Sequence, residues 1–260
     1  MINLNVIISP VFLNNYNIKN RNFIVIDNFR ATTSIAHILN NGANSITPVN
    51  NFEFLGYSSK QKIEKVLKDK SYKEKVQIFK KNNPDYLLVG EYQADKIPEF
   101  DYGNSPYEFY NGDFTNKNII MFTTNGTNAL NLINEAKNIF LACFNNVSYV
   151  ADIVGMLGED VDILCAGNNL HPSFEDILVA GCLIQEFHEI FNFKIKLSDS
   201  AKLALSSYLN LENNLFKILK GTEHAEKLIA KGYFKDVEIS SNLNSINLVP
   251  VMKDNLILKM

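Results

Sequence analysis

Tryptophan is absent from this 260-residue chain and cysteine is scarce. Cys143, Cys165 and Cys182 are an odd number set inside apolar segments, which argues against a disulfide framework and for the reduced thiols of a cytoplasmic protein. No run reaches the ~18 apolar residues that a membrane span needs, so no membrane partner is expected. Positive charge is not in excess: 25 basic against 28 acidic residues leave a formal charge of −3. The basic footprint of a nucleic-acid binder is therefore missing. The opening MINLNVIISPVFLNNYN has no basic n-region and no small-residue cleavage site, so it does not read as a signal peptide. Pro/Gly/Ser linkers, low-complexity tracts and fixed-period repeats are missing too. An apolar fraction of 46% is that of a packed globule. We expect one compact unit over residues 1–260, with room for a small C-terminal lobe from about residue 199.

Within that unit the dominant pattern is a short apolar run, a turn and a helical segment. The runs are Asn22–Asp27, Tyr86–Gly90, Asn118–Thr123, Asn138–Phe144 and Val161–Ala166. Most are apolar on both faces, as buried strands of a mostly parallel sheet are. Helical patterns over Thr32–Leu39, Thr127–Ala136, Val147–Leu157 and Phe174–Phe191 follow four of them. The alternation predicts an α/β fold in three layers, α/β/α, around a mostly parallel, mixed sheet. Asn3–Ser9 and Ser45–Val49 read as further strands. Phe52–Lys81 is Lys-rich and weakly amphipathic, either a solvated helix pair or an excursion from the core. The C-terminal part reads as helical from Asp199 to about Lys231, then as strand at Val237–Ser240. Leu248–Leu258, with the turn Lys253-Asp254-Asn255, reads as a hairpin.

In open α/β sheets ligands bind beyond the carboxyl ends of the strands. The residues there are Asp27 to Ser34, Gly90-Glu91, Thr123 to Thr127, Asn145-Asn146 and Ala166 to Asn169. A polar cluster from Phe100 to Pro106 and the acids Glu175-Asp176 complete the set. Each has a bland reading. Thr32, Asn125 and Thr127 suit N-caps, Glu175 and Asp176 suit any first helical turn, and Asp27 could pair with Arg30. Gathered at one rim they read as a site. Arg30 is a fork-shaped donor for phosphate, sulfonate or carboxylate. The turn Thr123 to Thr127 feeds a helix start where an anion can be cradled. Asp27, Glu91, Asp101, Glu175 and Asp176 are hard oxygen donors of the kind Mg²⁺ takes beside a phosphate. An anion cradle next to carboxylates points to phosphoryl chemistry.

Other chemistries lack their signatures. There is no G-x-x-x-x-G-K-[ST], no G-x-G-x-x-G after the first long run, no D-x-D there, and no C-x-x-C or C-x₅-R. Cys143 and Cys165 read as core residues. His37 and His188 read as ordinary helix residues, whereas His224 opens a helix beside a turn and is the histidine with a claim to the site.

The block Asp27-Asn28-Phe29-Arg30-Ala31-Thr32-Thr33-Ser34 resembles the D-x-x-R-A-T-T-[ST] opening of the 2-phosphosulfolactate phosphatase (ComB-like) family. Gly90-Glu91 with Phe100-Asp101-Tyr102-Gly103-Asn104-Ser105-Pro106 is similar to a second block, and Thr123 to Leu130 to a third. Phe144-Asn145, Cys165-Ala166-Gly167, Glu175-Asp176 with Ala180-Gly181, Asp199 with Ala201, and Gly232 with Asp236-Val237 follow in order. The resemblance implies a cytoplasmic Mg²⁺-dependent phosphatase that converts 2-phosphosulfolactate to sulfolactate, a step towards coenzyme M. It implies a small anionic phosphorylated substrate and leaves a homodimer open. It would make Asp27, Arg30 and Asp176 catalytic, and Asp27, Glu91, Glu175 and Asp176 metal ligands. Substrate would be bound by Thr32, Thr33, Ser34, Thr124, Asn125, Gly126 and Thr127, with Asn104, Ser105, Asn145 and Gly167 completing the pocket. This chain departs from the pattern at Tyr92, where the family is basic, at Glu99, where it has glycine, and at Asn168 to Pro172, where it is Gly-rich. Another phosphorylated 2-hydroxy acid therefore stays open as substrate. So do a different phosphoester hydrolase on the same scaffold and a non-catalytic binding protein for small anionic metabolites.

Overall fold

The computed structural model describes residues 2–14, 16–192, 194–211 and 214–260. In chain order its elements are β1 (Ile2–Ile7), β2 (Asn22–Ile26), α1 (Ala31–Asn40), β3 (Ser45–Val49), α2 (Ile63–Leu67), α3 (Tyr72–Asn82), β4 (Tyr86–Tyr92) and β5 (Asp95–Lys96). Then come α4 (Pro106–Tyr110), β6 (Asn118–Phe122), α5 (Gly126–Leu132), β7 (Asn138–Ala142), α6 (Val147–Gly155), β8 (Val161–Cys165), α7 (Phe174–Ile190) and β9 (Ile195–Leu197). The chain closes with α8 (Asp199–Leu209), α9 (Leu215–Lys220), α10 (Glu223–Ala230), α11 (Phe234–Ile239), β10 (Pro250–Lys253) and β11 (Leu256–Lys259).

The strands form one mixed sheet in the order β5-β4-β6-β3-β11-β10-β7-β2-β8-β1-β9. Two parallel sets, β4-β6-β3 and β7-β2-β8-β1-β9, are joined by the antiparallel hairpin β10–β11. The hairpin turns on Asp254 and Asn255, both with positive φ (50° and 60°), the geometry of a two-residue type I′ turn. Three successive antiparallel pairings separate the sets, so β4, β6 and β3 run against the others. The single carboxyl rim expected from the sequence is thus not how the loops are assembled. The turns after β2 and β6 meet nonetheless, Gly126 against Ala31 and Asp27.

Alternation along the buried strands explains the layers. In β2, Phe23 and Val25 join α1 and α5 residues such as Ile35 and Ala129 in one core. Ile24 and Ile26 join Val150 of α6, Leu183 of α7 and Ala204 of α8 in the other. Phe52–Lys81 proves to be an excursion with its own small core, Phe52, Val66 and Val76 against Leu88, Ile120 and Phe122. The helical stretch expected from Asp199 to about Lys231 is made of three helices, α8, α9 and α10; residues 212 and 213 within it lie outside the described residues. Ala201 of α8 and Leu228 of α10 pack into the same core as β1. Among the described residues no helix is long and apolar enough to cross a membrane.

Val237–Ser240, expected as strand, is helical. Asp236 in its first turn explains the difference: this buried acid takes Arg30 Nη1 at 2.9 Å and the Ser105 hydroxyl, and so needs a helix end packed on the rim rather than an edge strand. Removing one member of a buried ion pair strands the other. We expect Asp236→Ala to lower unfolding stability by about 3–5 kcal/mol, read from urea denaturation. A second expectation concerns His37, buried in α1 against Tyr110 with Nε2 unpartnered. Burial lowers its pKa to about 4. The folded state therefore keeps the ring neutral while the unfolded chain protonates it from its ordinary value of 6.5. Stability from this residue is complete above that value and is lost as pH falls towards 4. His37→Gln should lose about 2 kcal/mol less than the parent between pH 7 and 5. The readout is the difference between the two proteins, in which the carboxylates cancel; equal losses would contradict it.

Candidate active site

The turn from β2 into α1 is built from its own hydroxyls. Thr32 Oγ1 accepts the Asp27 N–H (3.1 Å) and Thr32 N–H bonds the Asp27 carbonyl (3.0 Å). Thr33 donates to the Asn28 carbonyl (2.9 Å) and Ser34 to that of Asn104 (3.3 Å). The turn after β6 repeats the device. Thr127 N–H bonds Thr123 Oγ1 (3.0 Å), and the Thr127 hydroxyl donates to the Thr123 carbonyl (2.7 Å). At Gly126 a Cβ would come within 2.5 Å of Ala31 Cβ and 2.7 Å of Asp27 Oδ2, so only glycine lets the two turns meet. Ser105 is bonded to Asp236. Asn145 lies further off and pins the carbonyls of Ile239 and Asn242 and the Ser245 hydroxyl.

Two acids join loops. Glu91 takes Thr124 N–H on Oε1 (2.7 Å) and Ala94 N–H on Oε2 (2.8 Å). Asp176 takes Asn28 N–H on Oδ1 (2.9 Å) and Gly167 N–H on Oδ2 (3.0 Å). Gly167 has a φ of +68°, and a Cβ there would sit 2.3 Å from the His171 carbonyl oxygen. Asp101 is taken by Lys80 and the Leu88 N–H.

These turns enclose a cleft of about 370 Å³. Of the residues singled out in the sequence, Asp27, Arg30, Glu91, Asn104, Thr124 and Asn125 line it. Thr32, Thr33, Ser34, Ser105, Gly126, Thr127, Asn145, Gly167, Glu175 and Asp176 are not in its wall. Glu175 borders an adjoining cleft of about 230 Å³. Asn125, expected as a capping residue, accepts the Asn169 N–H instead (3.1 Å). Asp27 and Arg30 do not pair. Arg30 gives Nη1 to Asp236, Nη2 to the Ala94 carbonyl (2.7 Å), and lies over the Tyr233 ring at 4.4 Å.

Charge is unevenly matched. Burial pushes the Asp27 carboxyl up to about 6; His224 and the Ala31 N–H pull it down, and Glu91 and Glu175 push it up. Asp176 is raised well above the carboxylate range by burial, then by Glu175 and Asp27. Arg30, the buried cation nearby, is already taken by Asp236. Two buried polar atoms of the cleft residues, Asn104 Oδ1 and Thr124 Oγ1, have no partner among the described residues. Among the described residues no group of three or more His, Cys, Asp or Glu side chains is placed to hold a metal ion by itself.

One wall was not foreseen as a unit. His224, Lys227, Leu228 and Lys231 face the cleft from α10 and its end. Their i, i+3, i+4, i+7 spacing is legible as a helix face, but nothing local says what that face meets. His224 Nδ1 lies 2.8 Å from Glu175 Oε1, and Lys231 Nζ bonds the Gln93 carbonyl and Asp95, both at 2.7 Å.

The chain matches the family described as 2-phosphosulpholactate phosphatase over residues 7–255. A probable 2-phosphosulfolactate phosphatase of Caldanaerobacter subterraneus subsp. tengcongensis is 32% identical over 246 residues, 94% of this chain and 93% of that one. Proteins of the same description from Thermotoga petrophila (32%, 89% of each chain) and Clostridium tetani (31%, 98% of this chain and 99% of that one) are similarly related. Matches of this length, spanning every turn that builds the cleft, place the chain in the 2-phosphosulfolactate phosphatase family.

Proposed function

We propose that this chain hydrolyses the phosphate monoester of 2-phosphosulfolactate, or of a related phosphorylated 2-hydroxy acid, with Mg²⁺ as cofactor. The observation that carries the reading is the meeting, in one cleft, of Asp27 and Glu91 with the unpartnered Asn104 Oδ1 and the lysines of α10. Acids alone would repel a phosphorylated substrate; acids that share a cation with it would not. The substrate class is that of the relatives, each described as a probable 2-phosphosulfolactate phosphatase.

The donor set fits Mg²⁺. All three donors are hard oxygens, and Asn104 Oδ1 is a buried acceptor still lacking a partner. Mg²⁺ is commonly held by one or two carboxylates, with waters and substrate phosphate completing its shell. A cleft with two carboxylates in its wall and no three-acid cage suits that habit. Asp27, Glu91 and Asn104 would hold the ion, which when bound would offset phosphate charge. Glu175 and Asp176 stand outside this set because neither lies in the wall of the cleft, and Glu175 is committed to His224.

The chain's own part is mainly positioning and electrostatics. Thr124 offers an unpartnered hydroxyl towards the phosphate region, and Lys227 and Lys231 offer positive charge to the rest of the substrate. Asp27, with its carboxyl near pKa 6, is the acid best placed to take a proton from water or to attack phosphorus. Arg30 acts at one remove, by tying α11 and the turn after β4 to the cleft.

EDTA should abolish phosphate release from 2-phosphosulfolactate and Mg²⁺ should restore it. Asp27→Asn should lower kcat/KM by ~10³-fold or more. Substrate-induced thermal stabilisation without any turnover would instead identify a binding protein. Brief reaction with phosphate-labelled substrate and an acid quench separates the two roles of Asp27: label left on the protein means attack by the carboxylate.

A further inference from the structure

We infer that His224 is the proton donor to the departing alcohol oxygen, with Glu175 as its positioning residue; this deepens the phosphatase reading above and rests on it. The ring lies in the wall shared by the two adjoining clefts. It is held on two sides. Nδ1 meets Glu175 Oε1 at 2.8 Å, and the ring edge meets Phe29 at a centroid distance of 6.0 Å and an interplanar angle of 78°. The Glu175 side chain is 2% exposed, the His224 side chain 16%. A buried carboxylate that receives Nδ1–H orients the ring and leaves Nε2 as the working atom, which in the imidazolium carries the proton to be given. Nε2 has no hydrogen-bond partner among the described residues. Nor does α10 need His224 to form: Thr222 already caps it, accepting the Ala225 N–H at 3.2 Å, and Leu228 anchors it in the core.

The chemistry calls for such a group. The alcohol of a phosphorylated 2-hydroxy acid is a poor leaving group, and a positioned acid is worth about 10²–10⁴-fold. As the P–O bond breaks, its electron pair passes to the alcohol oxygen, which takes the proton from Nε2. Water supplies the oxygen that ends on phosphorus, directly or in a second step. Donation leaves the ring as neutral imidazole, and the proton this water releases returns to Nε2 and restores the imidazolium.

The test compares two substrates in each protein: 2-phosphosulfolactate, with an alkoxide leaving group, and para-nitrophenyl phosphate, whose phenolate departs unaided. His224→Gln should lower kcat on the former by ~10²-fold or more and on the latter by no more than about fivefold. Glu175→Gln, which keeps an acceptor for Nδ1 but removes its charge, should show the same selectivity with about a tenfold loss. Thermal melting gives the folded fraction of each preparation; should His224→Gln not fold, Glu175→Gln decides. Equal losses on both substrates, or no loss on the alkyl ester, overturn the assignment of His224. A wild-type protein inert on both substrates overturns the phosphatase reading and the assignment with it.

Discussion

A buried carboxylate must be satisfied, and here backbone amides from separate loops satisfy it. Glu91 draws together the turn after β6 and the turn after β4, one through Thr124 and the other through Ala94. Asp176 does the same for the loops after β2 and β8, through Asn28 and Gly167. Each acid has two oxygens and each oxygen holds a different loop, so the carboxylates act as cross-links in which neither half can be lost alone. The architecture makes this necessary. The parallel sets on either side of the β10–β11 hairpin run in opposite senses, so sheet hydrogen bonding alone does not align the loops of β4 and β6 with that of β2.

The same arrangement sets the charge of the cleft. Glu91 and Asp176 each take two N–H groups, whereas among the described residues Asp27 has one long contact, from Ala31 N–H at 3.4 Å. It is buried beside two further acids, and its carboxyl is accordingly pushed up. Arg30 would relieve it, but Arg30 is neutralised by Asp236 and drawn towards α11. The protein thus leaves one acid under-compensated at the wall of its cleft. Such local violations of polar satisfaction are where function is expected, because a ligand or cation completes what the fold has left open.

Most of the fold was legible because parallel strands apolar on both faces carry a strong signal: β3 begins and ends where expected and β2 within one residue. The hairpin was legible from Lys253-Asp254-Asn255, but its place in the sheet was not. A turn says which strands pair with each other, not which strands flank the pair. α11 was misread because Val237 to Ser240 is β-prone in isolation, and only the tertiary pairing of Asp236 with Arg30 shows why a helix is kept there. The candidate residues divided along a physical line. Hydroxyls in the turns after β2 and β6, such as Thr32, Thr33 and Thr127, reach the local backbone and are consumed by it. Asn104 and Thr124 have side-chain atoms that nothing nearby can satisfy, and they line the cleft.

That line also explains why motif residues and cleft residues overlap only in part. The Arg30 to Ser34 run looks like an anion clamp because its groups are strong hydrogen-bond formers. Here their strength goes into holding Asp27 and the neighbouring turns at one place. A carboxylate needed at a defined position must be supported by groups whose own hydrogen bonds are complete. The turn after β2 does this with Thr32 and Thr33, and the turn after β6 with Thr127 and the missing side chain of Gly126. The cations that can meet a substrate come instead from α10 and its end, far along the chain: the Lys227 side chain is 60% exposed and, among the described residues, paired with exposed Glu223. Acids supported by short turns, faced by the more exposed Lys227 and Lys231 from a distant helix and its end, divide the work so that the reacting end of a substrate is fixed and its other anionic groups are accommodated.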